Sequence, residues 1–150
     1  RQIFFVATGG FDSHDNQVAD QPGLLGGISD AMTAFYDATV ELGVSSSVTS
    51  FTQSDFARTL TSNGDGTDHA WGGIQLVMGD AVQGRDMYGS YPDLALNSEF
   101  DVGGGRFIPT TSADQYAATL ARWFGVEEPD IPTVAPNIGN FTANDLGFFV

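Results

Sequence analysis

Cysteine is absent from the 150 residues, so a disulfide framework, a thiol nucleophile and any cysteine-ligated zinc centre are excluded. Positive charge is scarce. Arg1, Arg58, Arg85, Arg106 and Arg122 stand with two histidines against 19 Asp and Glu, for a formal net charge of −14. These arginines are scattered and form no basic stripe. An acidic excess of this size repels a phosphate backbone, which argues against nucleic acid as a partner. Long apolar runs are missing as well. A membrane-spanning helix needs about 20 mostly apolar residues, and Asp or Gly interrupts every candidate window here. With 41% hydrophobic and 16% charged residues, the composition is that of one globular domain and not of a disordered acidic tail.

What is present begins with Ile3-Phe4-Phe5-Val6-Ala7, an apolar run closed by Thr8-Gly9-Gly10, which predicts a buried strand feeding a tight turn. A buried strand is an unusual way for a chain to open. The expectation is that these residues are the back part of a longer protein, with any signal peptide upstream. From Leu24 to Leu42 the residues Ile28, Met32, Phe35, Thr39 and Leu42 recur at helical spacing, and Gly43 supplies a stop. Ser46 to Thr52 is rich in β-branched and aromatic residues and predicts a second strand, parallel to the first across the helix. Thr61 to His69 is dense in turn formers and reads as a loop. Gly73 to Met78 predicts a third strand, and Gly84 to Gly105 a long irregular stretch. Thr111-Ser112 is placed to cap a helix over Ala113 to Phe124, ended by Gly125. The order strand, helix, strand, loop, strand, helix predicts an α/β fold with a mainly parallel sheet flanked by helices. Ligands in such folds gather at the carboxyl ends of the strands.

Asp12 and His14 follow the first expected strand, and Asp55 follows the second. Both histidines lie beside an Asp in a Gly-containing loop, at Asp12-Ser13-His14 and Asp68-His69. Imidazole with carboxylate suits Zn²⁺, and a carboxylate-dominated set suits Mn²⁺, Mg²⁺ or Ca²⁺. Solvated loop residues are the plainer reading of the same pattern. Arg58, three residues beyond Asp55, could bind an anion such as phosphate or sulfate, or close a local ion pair. Asn63-Gly64-Asp65-Gly66 has the flavour of a calcium loop without the spacing or terminal Glu of an EF-hand. Trp71 and Tyr116 fit either an organic-substrate site or the core. Ser13 and Ser112 have no base in the pattern that would mark a nucleophile.

Taken in order, Gly9-Gly10-Phe11-Asp12-Ser13-His14-x-x-Gln17, Phe35-Tyr36, Glu41-Leu42-Gly43-Val44, Ser54-Asp55-Phe56-Ala57-Arg58-Thr59, Gly66-Thr67-Asp68-His69-Ala70-Trp71-Gly72-Gly73 and Pro109-Thr110-Thr111-Ser112 closely resemble the carboxyl-terminal part of the DUF1501 family of bacterial exported proteins. The likeness runs from Ile3 to Phe148. It implies a longer parent protein, often led by a twin-arginine signal, and a periplasmic or extracellular location. It also implies the alkaline phosphatase-like superfamily, whose phosphatases, sulfatases and phosphomutases use two metal ions.

On that resemblance, Asp12, His14 and His69 look like ligands of a first metal, with Asp68 as neighbour or further ligand. Asp55 looks like a ligand of a second metal, where Phe56 replaces the superfamily's adjacent His. An alternative registration equates Asp68-His69 with that Asp-His pair and leaves no later His for the first metal. Ala57 stands where the family usually has Gly. The implied function is a metal-binding segment, Zn²⁺ or Mn²⁺ before Ca²⁺ or Mg²⁺, of a hydrolase-like protein acting on a phosphate or sulfate ester. Its nucleophile would lie upstream, and Arg58 would hold the anion. A secreted binding protein is the rival. An assembly subunit is another, with the Gly84 to Gly105 stretch and its Tyr88 and Tyr91 as contact surface.

Overall fold

Helical spacing of half-buried residues produces the longest element, α1 (Gln17–Glu41), in the computed structural model, which describes residues 1–150. The helix starts seven residues before the expected Leu24 and continues through Pro22. Proline at that point forfeits one intrahelical hydrogen bond. Asn16 precedes the helix in the left-handed region and donates from Nδ2 to Asp20 Oδ1 at 3.0 Å. Gln21, Leu24, Ile28, Met32, Tyr36 and Thr39 form the inward face, and only Thr39 is fully buried. Phe35 and Leu42, expected on that face, are exposed, because the contact row advances from Met32 by four to Tyr36. The Tyr36 hydroxyl donates to Asp80 Oδ1 at 2.5 Å, and Ser45 donates to the other oxygen of the same carboxylate. Gly43 follows the helix at φ +70, a conformation suited to glycine, as the expected stop.

Four short strands follow, and none of them pairs in parallel. β1 (Ser50–Phe51) pairs antiparallel with β4 (Val77–Met78), and β2 (Ala57–Ser62) pairs antiparallel with β3 (Thr67–Ala70). The expected mainly parallel sheet flanked by helices, alkaline phosphatase-like in topology, is corrected to two small antiparallel sheets. One cause lies in Thr61 to His69, read as a loop. Its asparagine and glycines are confined to residues 63–66, and the β-branched Thr61 and Thr67 lie on either side. Asn63 Oδ1 accepts from Gly66 N at 3.0 Å and Ser62 Oγ from Gly64 N at 3.0 Å, closing a turn that can join only antiparallel strands. A second cause lies at Ile3 to Ala7. The segment makes no backbone hydrogen bond, and Ile3, Phe4, Phe5 and Val6 are 76% to 91% exposed, so apolar content without a neighbouring edge leaves no strand.

The core sits in the last third of the chain. α2 (Ala113–Phe124) opens with a capping box, Ser112 Oγ accepting from Gln115 N at 3.1 Å and Gln115 Oε1 from Ser112 N at 2.9 Å, and ends at Gly125. Ala118 and Ala121 of α2 pack on Ile131 of α3 (Ile131–Val134), on Ala135 and on Ile138. The closing segment lies across this unit, where Phe149 stacks on Trp123 at 5.1 Å and Phe148 meets Tyr116 and Tyr88. Tyr116 donates to the Thr52 carbonyl at 3.2 Å, linking α2 to the end of β1, and burial pushes its phenol up from the ordinary value of 10.0. No helix is long and apolar enough to cross a membrane.

Two outcomes follow from this packing. Ile131 is 1% exposed, and Ile131→Ala should cost about 2–5 kcal/mol in urea unfolding. Asp80 is held below its ordinary 3.8 by the hydrogen bond from Ser45, then by that from Tyr36, against a smaller opposing effect of burial. A lowered folded-state value stabilises above the unfolded one and is lost as pH falls through it. Asp80→Asn should therefore be less stable than the parent at pH 7, and the gap should close as acid unfolding is followed below pH 3.8.

Candidate metal centre

The β2–β3 hairpin sets one side of the site through its register. Arg58 is the direct cross-strand partner of His69, so both side chains leave the same face of the pair. Strand alternation sends Asp68 to the other face, where its carboxylate accepts from Asn63 Nδ2 at 3.2 Å and lies 3.8 Å from Arg106.

The other side is the loop before α1, fastened to the hairpin by its backbone. Thr67 N donates to Ser13 O at 3.2 Å and Gln17 N to Asp65 O at 3.2 Å, while Thr67 Oγ1 donates to Gln17 Oε1 at 2.7 Å. Gly66 permits this approach. A Cβ there would stand 2.3 Å from the His14 carbonyl carbon and 2.4 Å from Ser13 O.

The two sides meet at one oxygen. Asp12 Oδ1 lies 2.8 Å from His69 Nε2, 2.9 Å from His14 Nδ1 and 2.9 Å from Arg58 Nη1. The two imidazoles are 4.9 Å apart between centroids. Phe56 lies flat against the outer face of His69, at 4.0 Å and 14°, and the Arg58 guanidinium sits 5.6 Å from the centre of the same Phe56 ring. Arg58 is the least exposed of the four polar members, its Nε donating to Thr67 Oγ1 at 3.0 Å and its Nη2 to the Thr67 carbonyl. The hydrogen bond from His69 is the largest influence holding the Asp12 carboxyl below its ordinary 3.8. Partial burial opposes it, and Arg58 and the charges of both histidines add to it.

Of the residues expected from sequence, the structure thus brings together Asp12, His14, His69 and Arg58. Asp55 lies in the exposed turn before β2 and Asp68 faces away, and neither belongs to the converging group. The Asn63–Gly66 segment is the hairpin turn and Ser112 is the α2 cap. Phe56 is the member sequence reasoning left without a role. Its signal was the alternation Phe56-x-Arg58, which puts an aromatic ring and a guanidinium on one side of an extended segment.

The three donor atoms of Asp12, His14 and His69 lie within 4.8 Å of one another. Two imidazole nitrogens and one ionised carboxylate make a mixed N/O set that fits a first-row divalent ion, and the exposure of all three leaves coordination positions open to solvent or substrate. His14 Nδ1, His69 Nε2 and the Arg58 guanidinium all face this one carboxylate oxygen. Chemically, the arrangement offers a cation one carboxylate oxygen and two imidazole nitrogens, with the Arg58 guanidinium as the fixed positive charge beside them.

A family model described as a protein of unknown function (DUF1501) matches residues 1–123, and the chain belongs to that family. No curated protein and no solved structure matches the chain.

Because Gly66 carries the loop-to-hairpin contact, Gly66→Ala should open it. In hydrogen exchange, the amides of Thr67 and Gln17 should lose protection, whereas Gly9→Ala, with nothing within 4 Å of its added methyl, should leave both protected. Retained protection in Gly66→Ala would remove the clamp from the account.

Proposed function

We propose that this DUF1501 chain binds one divalent cation through Asp12, His14 and His69, Zn²⁺ or Mn²⁺ in preference to Ca²⁺ or Mg²⁺. In this reading it serves a hydrolase-like site for a phosphate or sulfate ester, chemistry of the alkaline phosphatase-like kind, in an exported periplasmic or extracellular protein. The observation that carries the reading is the convergence of two imidazole nitrogens on one carboxylate oxygen at 2.8 Å and 2.9 Å, from two segments over fifty residues apart in sequence. A bound divalent ion supplies Lewis acidity toward an ester oxygen.

The chain's own residues do the rest. Asp12 and the two histidines hold their donor atoms within 4.8 Å of one another, Phe56 fixes the His69 ring, and Arg58 offers a guanidinium to the anion. In this reading the nucleophile is supplied by an amino-terminal part of the same protein. A binding or assembly role is a second reading. It is favoured by an apolar cleft of about 1010 Å³ that includes Trp71, Ile74, Leu76, Met87, Tyr91 and Ile108. Tyr88 is not part of that exposed set, since it packs on Phe148 and donates to the Gln83 carbonyl at 2.8 Å.

Elemental analysis of protein purified without chelator tests the metal. Stoichiometric Zn²⁺ or Mn²⁺ is expected in the parent chain and its loss in Asp12→Ala, His69→Ala. A folded parent that stays free of metal after incubation with either ion would end the metallo-hydrolase reading and leave the cleft as the functional feature.

A further inference from the structure

We propose that Arg58 makes cation and oxyanion binding interdependent. Its guanidinium neutralises Asp12 when no cation is bound, and turns to a phosphate or sulfate group once a cation takes that carboxylate. The proposal rests on the metal reading above and goes beyond it, from the presence of a site to the order in which the site fills.

Arg58 divides its donors between two kinds of partner. The Nε and Nη2 edge is spent on Thr67, through the hydroxyl at 3.0 Å and the carbonyl oxygen, both on the strand that also carries His69. Thr67 Oγ1 is itself directed by Gln17 at 2.7 Å, so this edge is anchored to β3 and to the first turn of α1. The Nη1 edge is spent on Asp12 Oδ1 at 2.9 Å, the same oxygen that both histidines face. A cation that draws on Asp12 therefore competes for the atom Arg58 uses, while the Thr67 tether keeps the guanidinium from following or leaving. Two positive centres are then held side by side at a largely exposed carboxylate, and their repulsion opposes the cation.

An oxyanion resolves that conflict. A tetrahedral anion presents several oxygens, one for the cation and another for the Nη1 edge that Asp12 has released, and charge-assisted hydrogen bonds to a planar guanidinium are among the strongest available. Each ligand lowers the cost of the other, and linkage requires the effect to be equal in both directions. The chain's other charges favour this division of labour. With a net charge of −14, the surface repels anions at long range, so an anion is retained only where local positive charge has been assembled.

Calorimetric titration of the 150-residue chain with Mn²⁺ and with inorganic phosphate, each alone and each in the presence of the other, reads the coupling directly. Phosphate affinity is expected to rise about tenfold when Mn²⁺ is present, with Mn²⁺ affinity rising by the same factor in phosphate. Arg58→Gln should bind Mn²⁺ at least as tightly as the parent, because the competing charge is gone, and should lose most of the enhancement beyond what direct cation–phosphate contact provides. Thr67→Val, which keeps the charge and cuts the tether at Oγ1, should reduce the enhancement without abolishing Mn²⁺ binding, and it serves if Arg58→Gln fails to fold. Mn²⁺ binding with the same phosphate enhancement in parent and variants would overturn the coupling and spare the metal site. Weaker Mn²⁺ binding in folded Arg58→Gln would do the same, by making Arg58 a support and not a competitor. Failure of the parent to bind Mn²⁺ would overturn both.

Discussion

Everything at the candidate site depends on how closely two backbones pass at Gly66. The loop that carries Asp12 and His14 is apolar only at Phe11, which is half-buried, while Asp12, His14 and the preceding Ile3 to Val6 are exposed. It is positioned by backbone hydrogen bonds to Thr67 and Asp65, and those bonds form only because residue 66 has no side chain. The hairpin then supplies Arg58 and His69 at a register that needs no further adjustment. Sequence-distant groups meet through a polar clamp and not through burial.

Stability and site are therefore separated along the chain. The close-packed core lies between α2, α3 and the closing residues, where alanines let backbones approach and Ile131 fills the gap. α1 is mainly exposed and is tied down by discrete polar contacts, Tyr36 and Ser45 to Asp80 at one end and Gln17 to Thr67 at the other. Contacts of this kind are individually worth little at an exposed surface and act mainly by fixing geometry. The carboxyl-terminal unit can then stay packed while the candidate site changes its internal bonding.

Legibility followed the range over which each signal acts. The α2 cap, its twelve-residue span and its glycine stop are local chemistry and could be read from Ser112, Gln115 and Gly125 alone. The helix over residues 24–42 was legible by period, but its true face was displaced by one residue at Tyr36, because a long-range partner, Asp80, decided which side turned inward. Strand pairing was not legible. Apolar content at Ile3 to Ala7 says nothing about whether an edge lies beside it, and the turn at residues 63–66 hid the strands on either side. At the site, Asp12, His14 and His69 stood out as the rare imidazoles beside acids. That Asp68 points away follows from strand alternation, which becomes readable only once the segment is known to be a strand and not a loop.

Phe56 gives the cluster a direction. Its ring covers one face of His69 at 4.0 Å, and the Arg58 side chain lies along the same aromatic surface. That face of the His69 ring is covered, whereas His14 and the Asp12 carboxylate are about half exposed to water. A cluster of small, exposed, polar groups thus has one side lined by an aromatic ring and another that presents only polar atoms to bulk solvent.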